Sequence, residues 1–249
     1  MQLSVFDHAI QLIRDSRHMI AVTGAGISVD SGIPAFRGDT GLWNTYDPSV
    51  YASIEGFREN PRRSWEFFLE LYDQLIDARP NAAHTILAEW EQKGLLQGII
   101  TQNIDDLHQQ AGSHHVIEVH GSLRNLICTT CGQIIHSRGM IFDSVDLPPM
   151  CRCGGILKPE AVLFGESIPS TWYFACLEAI RKADTILFIG TSGIVHPVNE
   201  FPEIALRHGC RLIEINPDAT VLTRLYDMIH LQGFANDVLT RLAEAFNEQ

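Results

Sequence analysis

Apolar residues along this chain fall into short continuous runs separated by longer stretches with helical spacing. His18 to Thr23 is a short apolar run ending at Gly24. Gly98-Ile99-Ile100 leads into Thr101-Gln102-Asn103, and Val116 to Val119 leads into His120. Thr185 to Ile189 and Arg211 to Ile215 repeat the pattern. Short runs of this kind predict strands buried on both faces. Between them, Phe6, Ile10 and Ile13 mark one helix, and Trp65, Phe68, Leu69, Tyr72, Leu75 and Ile76 form the stripe of another over Pro61 to Ala78. Pro80-Asn81 opens a further helix that Lys93-Gly94 closes. Helices are also expected at 171–182, 199–208 and 237–246, whereas residues 38–60, rich in Gly, Asp, Pro and aromatics, read as a long ordered loop. Buried strands alternating with helices predict an α/β fold with a parallel sheet covered on both faces.

Such sheets bind ligands beyond the carboxyl ends of their strands. Gly24, Gln102-Asn103, His120, Gly190-Thr191-Ser192 and Asn216 all fall at predicted strand ends. Their convergence is a stronger signal than any one of them. A chain of 249 residues with 45% hydrophobic content can form one large domain, or a core domain with a small inserted lobe. The formal net charge of -12 disfavours non-specific nucleic-acid binding, since phosphate is repelled, and is compatible with a basic peptide. No apolar run reaches membrane-spanning length, and the stretch from Met1 to His8 lacks the basic and apolar regions of a secretory signal.

Four of the six cysteines sit in two tight clusters, Cys128-x-x-Cys131 and Cys151-x-Cys153. Clusters of this kind in a reducing compartment are more often metal ligands than disulfides, so the chain reads as cytoplasmic. Four thiolates suit tetrahedral zinc with no open position, which is a structural site. Apolar residues are sparse between the clusters, so metal binding would supply the folding energy of that segment. The spacing of the second pair is tighter than the commonest pattern. Cys176 and Cys210 lie among apolar residues and read as core.

Each remaining motif has a plain reading beside a functional one. Gly24-Ala25-Gly26 permits a tight turn and close backbone approach to a pyrophosphate, or simply a structural turn. The usual dinucleotide fingerprint has a third glycine where Val29 stands, and no ribose-binding acid follows at the usual distance, so an ordinary dehydrogenase is disfavoured. Gln102-Asn103-Ile104-Asp105 can bind ribose hydroxyls and a carboxamide, or Asn103 or Asp105 can cap the next helix. His120 is a candidate general base because of its place at a strand end; otherwise it is a hydrogen-bonded core residue. His84 reads as a packing residue, and His114 and His115 as solvated.

In order along the chain, several segments together resemble the sirtuin family. They are Gly24-Ala25-Gly26-Ile27-Ser28, Ser31-Gly32-Ile33-Pro34-Ala35-Phe36-Arg37-Gly38, Thr101-Gln102-Asn103-Ile104-Asp105, Val119-His120-Gly121-Ser122, Phe164-Gly165-Glu166, Gly190-Thr191-Ser192 and Ile215-Asn216-Pro217. The resemblance covers nearly the whole chain, as a single catalytic core of the prokaryotic type. It implies a Rossmann-like NAD-binding domain built from 1–40, 80–123 and 160–249. A smaller lobe would combine a helical part (41–79) with a zinc module (124–159) held by Cys128, Cys131, Cys151 and Cys153. The implied activity is NAD-dependent removal of acyl groups from lysine, with NAD as cosubstrate, one structural zinc ion and an acylated-lysine protein as partner. The acyl oxygen would attack C1′ of the nicotinamide ribose, and nicotinamide would leave. His120 would act as general base on a ribose hydroxyl, and water would release free lysine and O-acyl-ADP-ribose.

Residue by residue, the resemblance makes His120 and Asn103 catalytic, with Asn103 ordering ribose or water. Gly24, Ala25, Gly26, Ser28, Trp43 and Ile104 would surround the cofactor. Phe36 would shield the reacting face, Arg37 contact the phosphates, Gln102 the ribose and Asp105 the carboxamide. Thr191, Ser192 and Asn216 would line the phosphate and adenosine-ribose end, and Gly190, Pro217, Asp218 and Ala235 would also bind the cofactor. Residues 162–166, with Val162, Phe164, Gly165 and Glu166, would lay an edge strand beside the substrate peptide. Family members that prefer acidic acyl groups carry Tyr-x-x-Arg where this chain has Phe68 and Leu71. An Arg would be needed to pair a terminal carboxylate bidentately, so neutral acyl groups are expected here. Val198 and Asn199 replace two residues that are often small, and are expected to reshape the phosphate side. The alternatives are a protein mono-ADP-ribosyltransferase or NAD hydrolase on the same scaffold, and a non-catalytic NAD-sensing module. The presence of both His120 and Asn103 favours chemistry over sensing.

Overall fold

A computed structural model describes residues 4–36, 41–137 and 144–247. In chain order the regular elements are α1 (Val5–Asp15), β1 (Met19–Thr23), α2 (Pro48–Tyr51), α3 (Ile54–Glu59), α4 (Pro61–Asp77), α5 (Ala82–Gln92), β2 (Leu96–Thr101), α6 (Leu107–Gln110), β3 (Val116–Glu118) and β4 (Gly121–Cys128). They continue as β5 (Ile134–His136), β6 (Leu157–Ala161), α7 (Ser170–Lys182), β7 (Thr185–Ile189), α8 (Phe201–Arg207), β8 (Arg211–Asn216), α9 (Val221–Leu225), β9 (Ile229–Gln232) and α10 (Ala235–Asn247).

Six strands form one parallel sheet in the order β3-β2-β1-β7-β8-β9. Alternate residues of the central strands face opposite sides. Met19 and Ala21 of β1 join Leu187 and Ile213 in a core under α1, α5 and α10, with Ile13, Leu87 and Leu239. Ile20 and Val22 face the other way and join Phe188 and Leu212 under α7 and α8, with Ile180 and Phe201. This double burial is why the strands read as continuous apolar runs. It also makes the architecture the expected Rossmann-like one, with strands numbered in sheet order as 3-2-1-4-5-6.

A second sheet, β5-β4-β6, is antiparallel. Its core is shared with the helices before it: Trp65, Phe68 and Leu71 pack with Leu126, Cys128 and Leu157. The Trp65 indole Nε1 donates to the Leu157 carbonyl at 2.8 Å, which fixes α4 against β6. Pro159 is tolerated because β6 is an edge strand.

The long loop expected over 38–60 is corrected by the structure. Within its described part, a 3-10 turn at Leu42–Asn44, α2 and α3 follow one another. Each is set by local capping and is too short to show a period. Asp47 accepts from Ser49 N with Pro48 in the first turn, and Ser53 accepts from Gly56 N. Strand β9 was not expected either, because Ile229-His230-Leu231-Gln232 alternates and sits at the sheet edge.

Candidate active site

The sheet order reverses between β1 and β7, and ligands in such folds bind at that switch point. The loops leaving these two strands are nearly in contact. Gly26 N donates to Gly190 O at 2.9 Å. A Cβ on Gly24 would lie 2.8 Å from Gly190 O, and one on Gly190, whose φ is +60°, would lie 2.5 Å from Ile27 N. This crossing of backbones explains the glycines without a third one. Position 29 is not the point of close approach, so Val29 is admissible. After Gly24 the chain forms a 3-10 turn, Ala25–Ser31, instead of a long helix.

The polar residues after β2 meet that turn. Asn103 Nδ2 donates to Ser28 Oγ at 3.0 Å, and Ser28 Oγ donates to Asp105 Oδ2 at 2.7 Å. Asp105 Oδ1 accepts from Leu107 N, so the capping and site readings both hold for this residue. Burial raises the Asp105 pKa against the pull of these hydrogen bonds. Gln102 Nε2 donates to Thr191 Oγ1 at 2.7 Å, joining the ends of β2 and β7.

His120 stands between β3 and β4, with Gly121 at φ +76° turning the chain from one sheet to the other. Its Nδ1 lies 3.2 Å from Gln102 O and its Nε2 3.2 Å from His196 O. Burial lowers its pKa, and the two carbonyls partly offset this.

These groups line one cleft of about 1340 Å³ between the parallel sheet and the second sheet with its helices. Gly24, Ala25, Gly26, Gln102, Asn103, Ile104 and His120 form its middle. Gly190, Thr191, Ser192, Asn216, Pro217, Asp218 and Ala235 form one end. The other end is apolar: Phe36 stacks on Trp43 at 5.1 Å, Trp43 on Phe67 at 5.8 Å, and Phe68 and Leu71 complete the wall. Val162, Phe164, Gly165 and Glu166 line the same cleft. Ser28 and Asp105 lie in a small annex of about 30 Å³ that also touches Phe36 and Asn103. Arg37 lies outside the described residues.

Two expectations are corrected. Val198 and Asn199 are not in the cleft wall: Val198 begins a 3-10 turn and is fully buried against the α7–α8 core. Residues 162–166 are not a strand of either sheet, since β6 ends at Ala161. Their extended course is pinned instead by Val162 N to His120 O and by an isolated parallel bridge in which Phe164 N donates to Ala52 O and Ile54 N donates to Phe164 O. Sequence reasoning missed Phe67, which lines the cleft beside Phe68, because α4 also buries Trp65 and Leu71 and so has an apolar face wider than one stripe.

The four clustered cysteines also converge. Their sulfurs all lie within 4.8 Å of one another, with Cys128–Cys153 at 3.5 Å and Cys131–Cys151 at 3.9 Å. A tetrahedral site with Zn–S near 2.3 Å requires sulfurs roughly 3.8 Å apart. The donor set therefore fits structural zinc, and the tight second pair does not prevent it. Cys176 and Cys210 are core thiols whose pKa values burial raises to about 12.

Beneath the site, His84 and His108 are buried with ring centroids 4.9 Å apart. Burial lowers the His84 pKa from 6.5 to about 4. The folded protein thus binds fewer protons there than the unfolded chain once pH drops below 6.5, so stability is lost from 6.5 down to about 4. Glu118 acts in the opposite sense. Burial raises its pKa to about 7 despite Arg124, so its contribution is present below 4.5 and lost as pH rises through 7. The two effects overlap and must be separated by mutation. The stability of wild type relative to His84→Gln is expected to fall by about 3 kcal/mol between pH 7 and pH 4, measured by urea unfolding. A pH-independent difference would show that His84 titrates normally in the fold.

A model described as "Sir2 family" matches residues 24–197. The chain is 41% identical over 239 residues to "NAD-dependent protein deacylase 2" of Archaeoglobus fulgidus, covering 95% of this chain and 94% of that protein. Among solved structures, a mutant Sir2 homologue in complex with ADP-ribose superposes with a TM-score of 0.91 at 37% identity, covering 98% of both chains. A Sir2–p53 peptide–NAD+ complex superposes with a TM-score of 0.87 at 31% identity over 100% of both chains.

Proposed function

This chain belongs to the Sir2 family, and on that footing we propose how its cleft works. The protein is an NAD-dependent protein deacylase that uses NAD as cosubstrate and holds a structural zinc. NAD supplies an activated ribose carbon from which nicotinamide departs. Ser28, Asn103 and Asp105, tied by hydrogen bonds of 2.7 and 3.0 Å, hold the carboxamide end in the annex. The Phe36–Trp43 stack covers that end and keeps water from the reacting carbon. The carboxyl ends of β7 and β8 receive the phosphates and the adenosine ribose, where the glycines at the Gly24–Gly190 crossing put no side chain in the way. The acyl-lysine enters beside residues 162–166 and lays its acyl group among Phe67, Phe68 and Leu71.

His120 is the general base. A neutral imidazole has one N–H, and donation from Nδ1 to Gln102 O leaves the Nε2 lone pair for a ribose hydroxyl. Once Nε2 takes that proton, the His196 carbonyl at 3.2 Å is positioned to accept it in a hydrogen bond. The observation that carries this reading is the convergence of His120, the Ser28–Asn103–Asp105 cluster and an uncharged aromatic wall on one cleft.

The acyl pocket sets the substrate class. Phe68 and Leu71 are buried, and no Arg or Lys lies among the described residues lining the cleft. A terminal carboxylate would be desolvated there without a partner. Turnover of a succinyl-lysine peptide is therefore expected to be at least about 100-fold below that of the acetyl-lysine peptide, in line with the cost of an unpaired buried charge. Equal or faster succinyl turnover would sink this assignment.

We further place the reaction on an acylated protein in a reducing, cytoplasmic setting, where zinc thiols stay reduced. No helix among the described residues is long and apolar enough to cross a membrane. The charge of -12 opposes binding to nucleic acid or an anionic bilayer. The overall test is nicotinamide release from NAD with and without an acetyl-lysine peptide, following peptide mass. Peptide-dependent release with loss of the acetyl mass supports deacylation. Release without peptide, or ADP-ribose added to protein, would replace it with hydrolysis or transfer.

A further inference from the structure

Strand β8 carries a carboxylate in the middle of an apolar run, Leu212-Ile213-Glu214-Ile215. Glu214 is completely buried and pairs in register with Phe188 and His230. Burying a carboxyl group is costly unless it is well bonded, and this one is only half satisfied. Its Oε2 has no hydrogen-bond partner among the described residues. Its Oε1 accepts from Asn216 Nδ2 at 3.1 Å and from Thr220 Oγ1 at 2.5 Å. Both of those donors belong to residues that line the cleft, whereas Glu214 itself does not.

The second bond of Asn216 settles its orientation. Nδ2 also donates to Thr191 O at 3.1 Å. A backbone carbonyl only accepts, so the nitrogen must face it. The two N–H bonds of Asn216 are then both used, one by Thr191 O and one by Glu214. Only Oδ1 is left to offer, and it can only accept. Thr220 is locked similarly: its hydroxyl oxygen accepts from Leu222 N at 3.0 Å, and its proton goes to Glu214. The Asn216 backbone is held too, since its carbonyl accepts from Gly233 N at 3.1 Å.

We infer that Glu214 is a positioning residue for the cofactor. It fixes the Asn216 amide so that this end of the cleft presents an acceptor to a hydroxyl of the adenosine ribose. The same arrangement disfavours a phosphorylated ribose, because Oδ1 and the neighbouring Asp218 carboxylate offer no donor to a phosphate. This rests on the reading that the ends of β7 and β8 receive the adenosine ribose.

The test compares NAD with an analogue lacking adenosine-ribose hydroxyls, in wild type and in Glu214→Leu, Glu214→Gln and Asn216→Ala. Wild type is expected to show about a 10-fold higher KM for the analogue, the loss of one good hydrogen bond. Glu214→Leu removes one of the two acceptors that hold the Asn216 amide, leaving only Thr191 O. It should raise the KM for NAD about 10-fold, leave the KM for peptide unchanged, and bring NAD and the analogue to within 2-fold of each other. Glu214→Gln still offers one oxygen to both donors and should keep the full penalty for the analogue. If Leu does not fold at this buried site, Gln decides alone: a folded Glu214→Gln protein without the penalty overturns the proposal. A merely structural role would lower activity with both cofactors and keep their ratio, which would also overturn it. If Asn216→Ala removes the penalty and a folded Glu214→Leu keeps it, the role of Glu214 is wrong while the ribose reading stands. If Asn216→Ala keeps the penalty, the ribose reading fails and the proposal with it.

Discussion

Replacing His120 by Ala is expected to cut kcat/KM for deacylation by roughly 10²- to 10⁴-fold, the range for loss of a positioned general base. NAD affinity should stay within about 3-fold. Among the described residues the side chain hydrogen-bonds the Gln102 and His196 carbonyls, and the backbone that places it is held independently through Val162 N to His120 O. The pH profile gives a second handle. Burial lowers the His120 pKa below its ordinary value, so the base stays neutral at pH 7. The acid limb of the wild-type profile should therefore be displaced downward from the ordinary histidine value and should be missing from the residual activity of the variant. Full activity in His120→Ala would overturn the assignment of the base.

Loss of zinc should have the largest effect on stability. Structural zinc on four thiolates contributes on the order of 10 kcal/mol to the folding of small modules, well above the margin of a typical domain. In this chain two of the four ligands, Cys128 and Cys151, are buried in the same core as Trp65, Phe68 and Leu71. Removing the metal therefore loosens the core behind the acyl-pocket residues Phe68 and Leu71. Purified protein should carry close to one zinc per chain. Chelation, or Cys131→Ser, should abolish peptide-dependent nicotinamide release and melt the antiparallel sheet at a much lower temperature. The parallel sheet has its own two cores and should keep its circular-dichroism signal. A zinc-free protein that is folded and active would refute the structural role.

Both experiments address groups that were visible in the sequence, and the reasons differ. The central strands were legible because burial on both faces forces continuous apolar runs, as in Ile186-Leu187-Phe188-Ile189. Their polar termini marked the cleft because a strand can change from apolar to polar only where it leaves the sheet. The cysteines were legible because metal chemistry demands a residue type that packing alone does not.

Other features had no local signature. The short helices over 42–59 are set by single caps such as Asp47 and Ser53, and too few residues follow each cap to show a period. Val198 looked like a wall of the phosphate site from its place after Pro197, yet it points into the core because the 3-10 turn rotates it inward. Phe67 adjoins the expected Phe68 and differs only in which side of α4 the lobe covers. Glu214 looked like an odd charge in a strand until its two donors, contributed by the next loop, were in place.

The sequence by itself determined the parallel sheet, the residues at its carboxyl ends and the four zinc thiols, because periodicity and ligand chemistry act over a few residues. Tertiary structure alone decided what those residues face. The approach of Gly24 to Gly190, the aromatic wall opposite His120 and the orientation of Asn216 each join segments distant along the chain. Their geometry follows from how the two sheets pack, and no local pattern encodes it.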